Sequence, residues 1–350
     1  MYPMRFTLAL FAALAALPSL PAHAWNRLEA ETFATLPAGT AHPEGIAADA
    51  DGNLYVADFD VSKSAGPGDL LVFAPDGKLL RHVPVGGSSA LLLGLDFHPL
   101  SGDLLVIDFG GQQVLKVDPL SGNSTVFTTI PGGAAAGPNA LTFDAQGNVY
   151  ISDSFQGIVW RTGPTGGPAT AWVSDPLLAT QGVPPFGANG LAFNGAGTTL
   201  FVANTGNDTV VRIPVPDGAG GSAGTPEVFV NSINGADGLM VDEADNLWVV
   251  ANQADEIVVV DPSGRVIAKL GDFGGIDRRG SPIGLLFPAS AVKVGNFLYV
   301  TNLALDLRGF GLPQPVDAQW AAAVTRHSIA RIRARIPPLC AGRGSHCDED

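Results

Sequence analysis

One pattern recurs six times along this chain and leaves it little freedom of fold. The copies are "PEGIAADADGNLYVAD" from Pro43, "LLGLDFHPLSGDLLVID" from Leu92, "PNALTFDAQGNVYISD" from Pro138, "ANGLAFNGAGTTLFVAN" from Ala188, "ADGLMVDEADNLWVVAN" from Ala236 and "ASAVKVGNFLYVTN" from Ala289. Each alternates apolar residues, breaks at a turn of Asp, Gly and Asn, and alternates again, which is strand, turn, strand. A third strand follows in five copies ("DLLVF", "QVLKV", "GIVWR", "DTVVRI", "DEIVVV") and a fourth in most, such as "STVFTT" and "GRVIAKL". Strand units at a spacing of 46 to 53 residues predict an all-β, six-bladed β-propeller with four-stranded blades.

The sixth copy regains its third strand late, at "HSIARI" from His327, and has no fourth. A spare strand, "ETFATL" from Glu31, stands near the start. Pairing the two closes the ring and removes two open sheet edges. Glu31–Leu36 is therefore expected beside Ser328–Ile332, with the propeller spanning 25–338 and a tail over 339–350.

Residues 1–24 read as an export leader: Arg5, an apolar run from Phe6 to Leu17, and a cleavage site at Ala22-His23-Ala24. A secreted or periplasmic monomer is expected, without a membrane span after cleavage. In an oxidising compartment Cys340 and Cys347 could pair across the tail. A metal site there would recruit His346, but two Cys and one His fall short of a closed zinc set. The formal net charge of −14 argues against nucleic acid and anionic membranes as partners.

The residue before each small-apolar pair, taken as a marker, gives Glu44, Leu93, Asn139, Asn189, Asp237 and Ser290. In a propeller these positions face one another at one mouth of the central channel. Two carboxylates and two amides on that ring are the hard-oxygen set that Ca²⁺ prefers, or another divalent cation such as Mg²⁺. As separate turn residues they would merely bond their own backbone. A second recurrent set, Asp58, Asp108, Asp153, Asn204, Asn252 and Asn302, ends the second strands and reads as loop-fixing groups. The longest connections gather on the marker side. The insert Leu303–Arg326, with Phe310 and Trp320, is expected to overhang the mouth as a lid. His42 lies two residues before Glu44, as a proton shuttle at the substrate or as an exposed loop histidine. His98 falls in a turn on the other face.

This constellation resembles the calcium-dependent six-bladed propellers of the regucalcin and gluconolactonase family, and its shorter motifs look like NHL repeats. The resemblance is most specific in "ANGLAFNGAGTTLFVANTGNDTVVRI" and "GADGLMVDEADNLWVVANQADEIVVVDPSGR". It implies that Glu44, Asn139, Asn189 and Asp237 hold the metal and that Asp237 is also base or nucleophile, acting on a small ester or lactone. The sequence departs from the family at Gly137-Pro138-Asn139-Ala140, where a substrate-binding Arg usually stands two residues before the Asn. A lactonase or esterase-type hydrolase is the first expectation. A non-enzymatic NHL-like propeller with a structural metal is the second, and a strictosidine synthase-like enzyme the third.

Overall fold

The structure, a computed structural model, describes residues 26–312 and 318–337. The expected leader, its expected cleavage point, and Cys340 and Cys347 lie outside the described residues. Six four-stranded antiparallel blades surround a central channel. Blade one runs outward through His42–Ala48, Leu54–Phe59, Asp69–Phe73 and Leu79–Pro84. The inner strands of the next five are Leu92–Phe97, Pro138–Phe143, Ala188–Phe193, Ala236–Val241 and Pro288–Val294. Glu31–Thr35 closes blade six against Ser328–Arg333, with Glu31 opposite Arg331 and Thr35 opposite Ser328. The Leu36 amide extends the pairing to the His327 carbonyl at 2.9 Å.

The core is a series of layers between neighbouring blades. Leu70, Val72, Val106 and Leu115 fill the layer between blades one and two; Val159, Leu200, Val202 and Val211 fill the layer between three and four. Middle strands are thus covered on both faces, and Leu54–Phe59 and Leu247–Ala251 are buried throughout. The tight turns are pinned by one repeated device. Asp49, Asp144 and Asp242 each accept from an Asn side chain four residues on and from Tyr55, Tyr150 or Trp248 six residues on. "DADGNLY", "DAQGNVY" and "DEADNLW" therefore spell a structural turn on the face away from the markers.

On the marker side every inner strand breaks register at the same place. The breaks fall between Pro43 and Ile46, Leu92 and Leu95, Pro138 and Leu141, Ala188 and Leu191, Ala236 and Leu239, and Pro288 and Ala291. Such a bulge re-aims a side chain, here the marker. The residue after the marker then abuts the next blade. A Cβ on Gly94 would stand 2.8 Å from the Asn139 carbonyl, one on Gly238 2.7 Å from that of Ala289, and Gly45 and Gly190 are tighter still. These glycines form the waist of the channel.

This register corrects two assignments. Pro288 opposes Asn302 as Pro43 opposes Asp58, so the sixth ring position is Ala289 and Ser290 takes the waist position. In blade five Ala236 opposes Ala251, so Asn252 aligns with Phe59, Ser154 and Thr205, not with the loop-fixing set. The cause is that "NLWVVAN" carries one more apolar residue than "NLYVAD", and "PASAV" has no glycine to mark its waist. The segment before blade six also folds, into a hairpin of Phe273–Ile276 and Pro282–Gly284.

Candidate metal centre

The channel mouth encloses a chamber of about 50 Å³. Glu44, Asn139, Asn189 and Asp237 all line it, each nearly buried, and so do Leu93, Thr205 and Asn252. Phe59, Phe186, Phe287, Leu303, Leu305 and Leu307 supply apolar wall and roof. The expected set therefore converges, from blades one, three, four and five. Blades two and six place Leu93 and Ala289 at this level, so the Glu44 carboxylate is flanked by two apolar ring positions.

Each polar ring residue of blades three to five is held by the channel-facing residue of its own second strand. Ser154 gives its only hydroxyl proton to the Ala188 carbonyl at 2.7 Å. Toward Asn139 it can only accept, which draws the Asn139 NH₂ to it at 3.2 Å and leaves Oδ1 for the chamber. Thr205 repeats this, donating to Ala236 O at 2.8 Å and accepting from Asn189 Nδ2 at 2.9 Å. Asn252 Nδ2 donates to Asp237 Oδ2 at 2.8 Å. These three supports were missed in the sequence, although each directly follows the end of its second strand. The other second-strand residues behave as loop-fixing groups. Asp153, for example, accepts from the amides of Gly137, Phe155 and Gln156, and Asn204 donates to the carbonyls of Leu177 and Ala179.

Four chamber oxygens have no hydrogen-bond partner and no solvent: Glu44 Oε2, Asn139 Oδ1, Asp237 Oδ1 and Asn252 Oδ1. Orphaned acceptors in one small space are costly unless a cation serves them. Burial pushes the Glu44 carboxyl well above the usual range, and the neighbouring Asp237 adds to the effect. Burial likewise raises Asp237 to about 7, against hydrogen bonds from Asn252 and Asn189. Two carboxylates, amide oxygens and room for little more than an ion and a water or two fit a hard divalent cation. The residues lining the chamber include neither His nor Cys, so the donors it offers are oxygens.

Other expected residues lie elsewhere. His42 opens the inner strand of blade one, but its ring points its Nδ1 at the Leu303 carbonyl, 2.8 Å away, and sits edge-on to His327 at 4.6 Å between centroids. It is neither an exposed loop histidine nor a chamber residue. It lines a separate pocket of about 450 Å³ under the blade-six insert. Burial lowers its pKa, and lowers that of His327 to about 3. Among the described residues of the insert, Leu303, Leu305 and Leu307 line the chamber. Trp320 is exposed against Phe273 of the extra hairpin, ring centroids 5.7 Å apart, and Phe310 ends a 3-10 turn with its side chain outside the described residues. His98 is buried in its turn, Nε2 at 2.9 Å from the Gly147 carbonyl.

The sequence matches the model of the "SMP-30/Gluconolactonase/LRE-like region" over residues 100–271. That region contains Asn139, Asn189 and Asp237 with all three of their supports, and stops short of Glu44. Residues 23–60, which hold Glu44, match the N-terminal part of the strictosidine synthase-like family. No curated protein matches the sequence. Among solved structures, a luciferin-regenerating enzyme aligns at 16% identity over 87% of this chain and 95% of its own, with a TM-score of 0.61. A calcium-binding regucalcin from Agrobacterium tumefaciens aligns at 16% over 88% and 98%, TM-score 0.59, and a gluconolactonase from Xanthomonas campestris at 18% over 82% and 95%, TM-score 0.55. At such identities the likeness is one of fold.

Proposed function

We propose that the chain is an exported, calcium-dependent hydrolase of the lactone or ester type. The observation that carries this is the set of four buried, unpartnered oxygens around one chamber. Glu44, Asn139 and Asp237, which supply three of these oxygens, would hold the cation together with Asn189; when bound it polarises the substrate carbonyl and stabilises charge developing on its oxygen. Glu44 serves mainly to balance charge, since nothing in its blade orients it. Asp237 would act as base or nucleophile; in support, its Oδ2 accepts from Asn252 and its Oδ1 has no hydrogen-bond partner. Asn139 and Asn189, locked by Ser154 and Thr205, orient the carbonyl or the attacking water. The apolar roof keeps bulk water out.

A second reading, a non-enzymatic propeller with a structural cation, draws on the small size of the chamber, closed by Phe186, Leu305 and Leu307. Elemental analysis of the purified protein, then a panel of lactones and aryl esters with and without chelator, tests both. Turnover lost on chelation and restored by Ca²⁺ is the expected result. Stoichiometric metal without turnover would favour the scaffold, and absence of any metal would refute both.

A further inference from the structure

The rim of the chamber is aromatic. Phe155 lies 5.5 Å from Phe109 and 5.4 Å from Phe186, ring centroid to centroid, and Phe109 lies 6.0 Å from Phe59. Phe59 and Phe186 belong to the chamber wall itself, while Phe155 is 47% exposed. The cluster therefore runs without a break from the polar ring to solvent. The cluster thus presents apolar surface that is continuous with an enclosed polar site, as a ligand groove does.

Among the residues lining the chamber none is Arg or Lys. Beside Asn139, the space in front of Gly137 is taken by the Phe155 ring: a Cβ there would come within 2.7 Å of it. No side chain can be added at 137 without displacing that ring. With only about 50 Å³ inside, a substrate can place little more than its reacting carbonyl at the ring. The remainder has to lie across the aromatic rim.

We propose that the rim is a binding subsite for an uncharged aryl or alkyl group, so that the substrate is an apolar ester or alkyl lactone; the proposal rests on the hydrolase reading above. Phe155 and Phe186 are its specificity-determining residues. A sugar-acid lactone would bring several hydroxyls against phenyl rings that offer no partner, and each hydroxyl left unpaired on burial weakens binding.

The test uses the full mature chain loaded with Ca²⁺ and compares kcat/KM for phenyl acetate and γ-nonalactone with that for glucono-1,5-lactone. The apolar pair should be preferred at least 100-fold. Phe155→Ala, at an exposed site, should cut turnover of the apolar pair roughly 10-fold without altering calcium affinity, and Phe155→Trp should retain it. Preference for the sugar lactone, or an unchanged Phe155→Ala, would overturn the proposal. If no ester or lactone is hydrolysed, the hydrolase reading fails separately. Calorimetric binding of the non-hydrolysable 6-hexylpiperidin-2-one then decides: about 10-fold weaker binding to Phe155→Ala supports the subsite, and equal or absent binding to the parent protein refutes it.

Discussion

Stripping the cation should make the protein's stability depend on pH in a direction opposite to ordinary acid denaturation. Asp237 ordinarily releases its proton near 3.8, yet burial holds it to about 7 in the cation-free fold. Between those values the folded state keeps a proton that the unfolded state has lost, so stability falls as pH rises. The full benefit of the protonated form exists only below the unfolded value. At about 1.4 kcal/mol per pH unit, the cost on reaching neutral pH is on the order of 4 kcal/mol. Glu44 moves the same way, because burial and Asp237 both raise it. Ca²⁺ replaces the proton and removes the cost. At 100 times its dissociation constant it adds about 2.7 kcal/mol, or roughly 5 °C in Tm for a domain of this size. The assay is thermal melting of chelated and calcium-loaded protein from pH 4.5 to 8, with Asp237→Asn as control. The calcium increment should grow toward pH 8 in the parent and flatten in the variant. An increment independent of pH, or none, refutes the reasoning.

Three further outcomes follow from the ring. Glu44→Gln should weaken calcium binding about 10-fold or more, measured by calorimetry, while excess Ca²⁺ restores much of the activity. Thr205→Val removes the hydroxyl that fixes Asn189 and bonds the Ala236 carbonyl; outer-shell losses of this kind cost roughly 10- to 100-fold in metal affinity, with about 1–3 kcal/mol of stability readable by denaturant titration. Gly190→Ala should destabilise by about 1–3 kcal/mol through overpacking against the Asp237 carbonyl and Gly238, and calcium affinity should fall with it.

The blades, the ring and the clasp were legible in the sequence because each rests on short-range pattern: alternation within strands, spacing between copies, and a strand missing at one end and spare at the other. Asn139, Asn189 and Asp237 were legible because a small residue follows each. Where that punctuation fails, register fails with it. In "PASAV" Ala289, Ser290 and Ala291 are all small, so the sequence does not distinguish the ring position, Ala289, from Ser290 at the waist. Asn252 was read as a loop residue because one additional valine shifts its strand, although it bonds Asp237. The aromatic rim and the His42–His327 contact join segments far apart in the chain, and nothing local to either partner announces them.

The clasp has a consequence for synthesis. Glu31 meets Arg331 across 300 residues of chain, so a strand made early is the outer strand of the last blade completed. Until Ser328–Arg333 emerges, that strand has no native partner and is exposed to pairing with other chains. Its make-up limits the hazard. It is five residues long, its first is a carboxylate, and its pairing skips register between Thr32 and Ala34, so it offers a foreign strand a short, charged and irregular edge. The segment that finishes the ring is thus also built to wait for it.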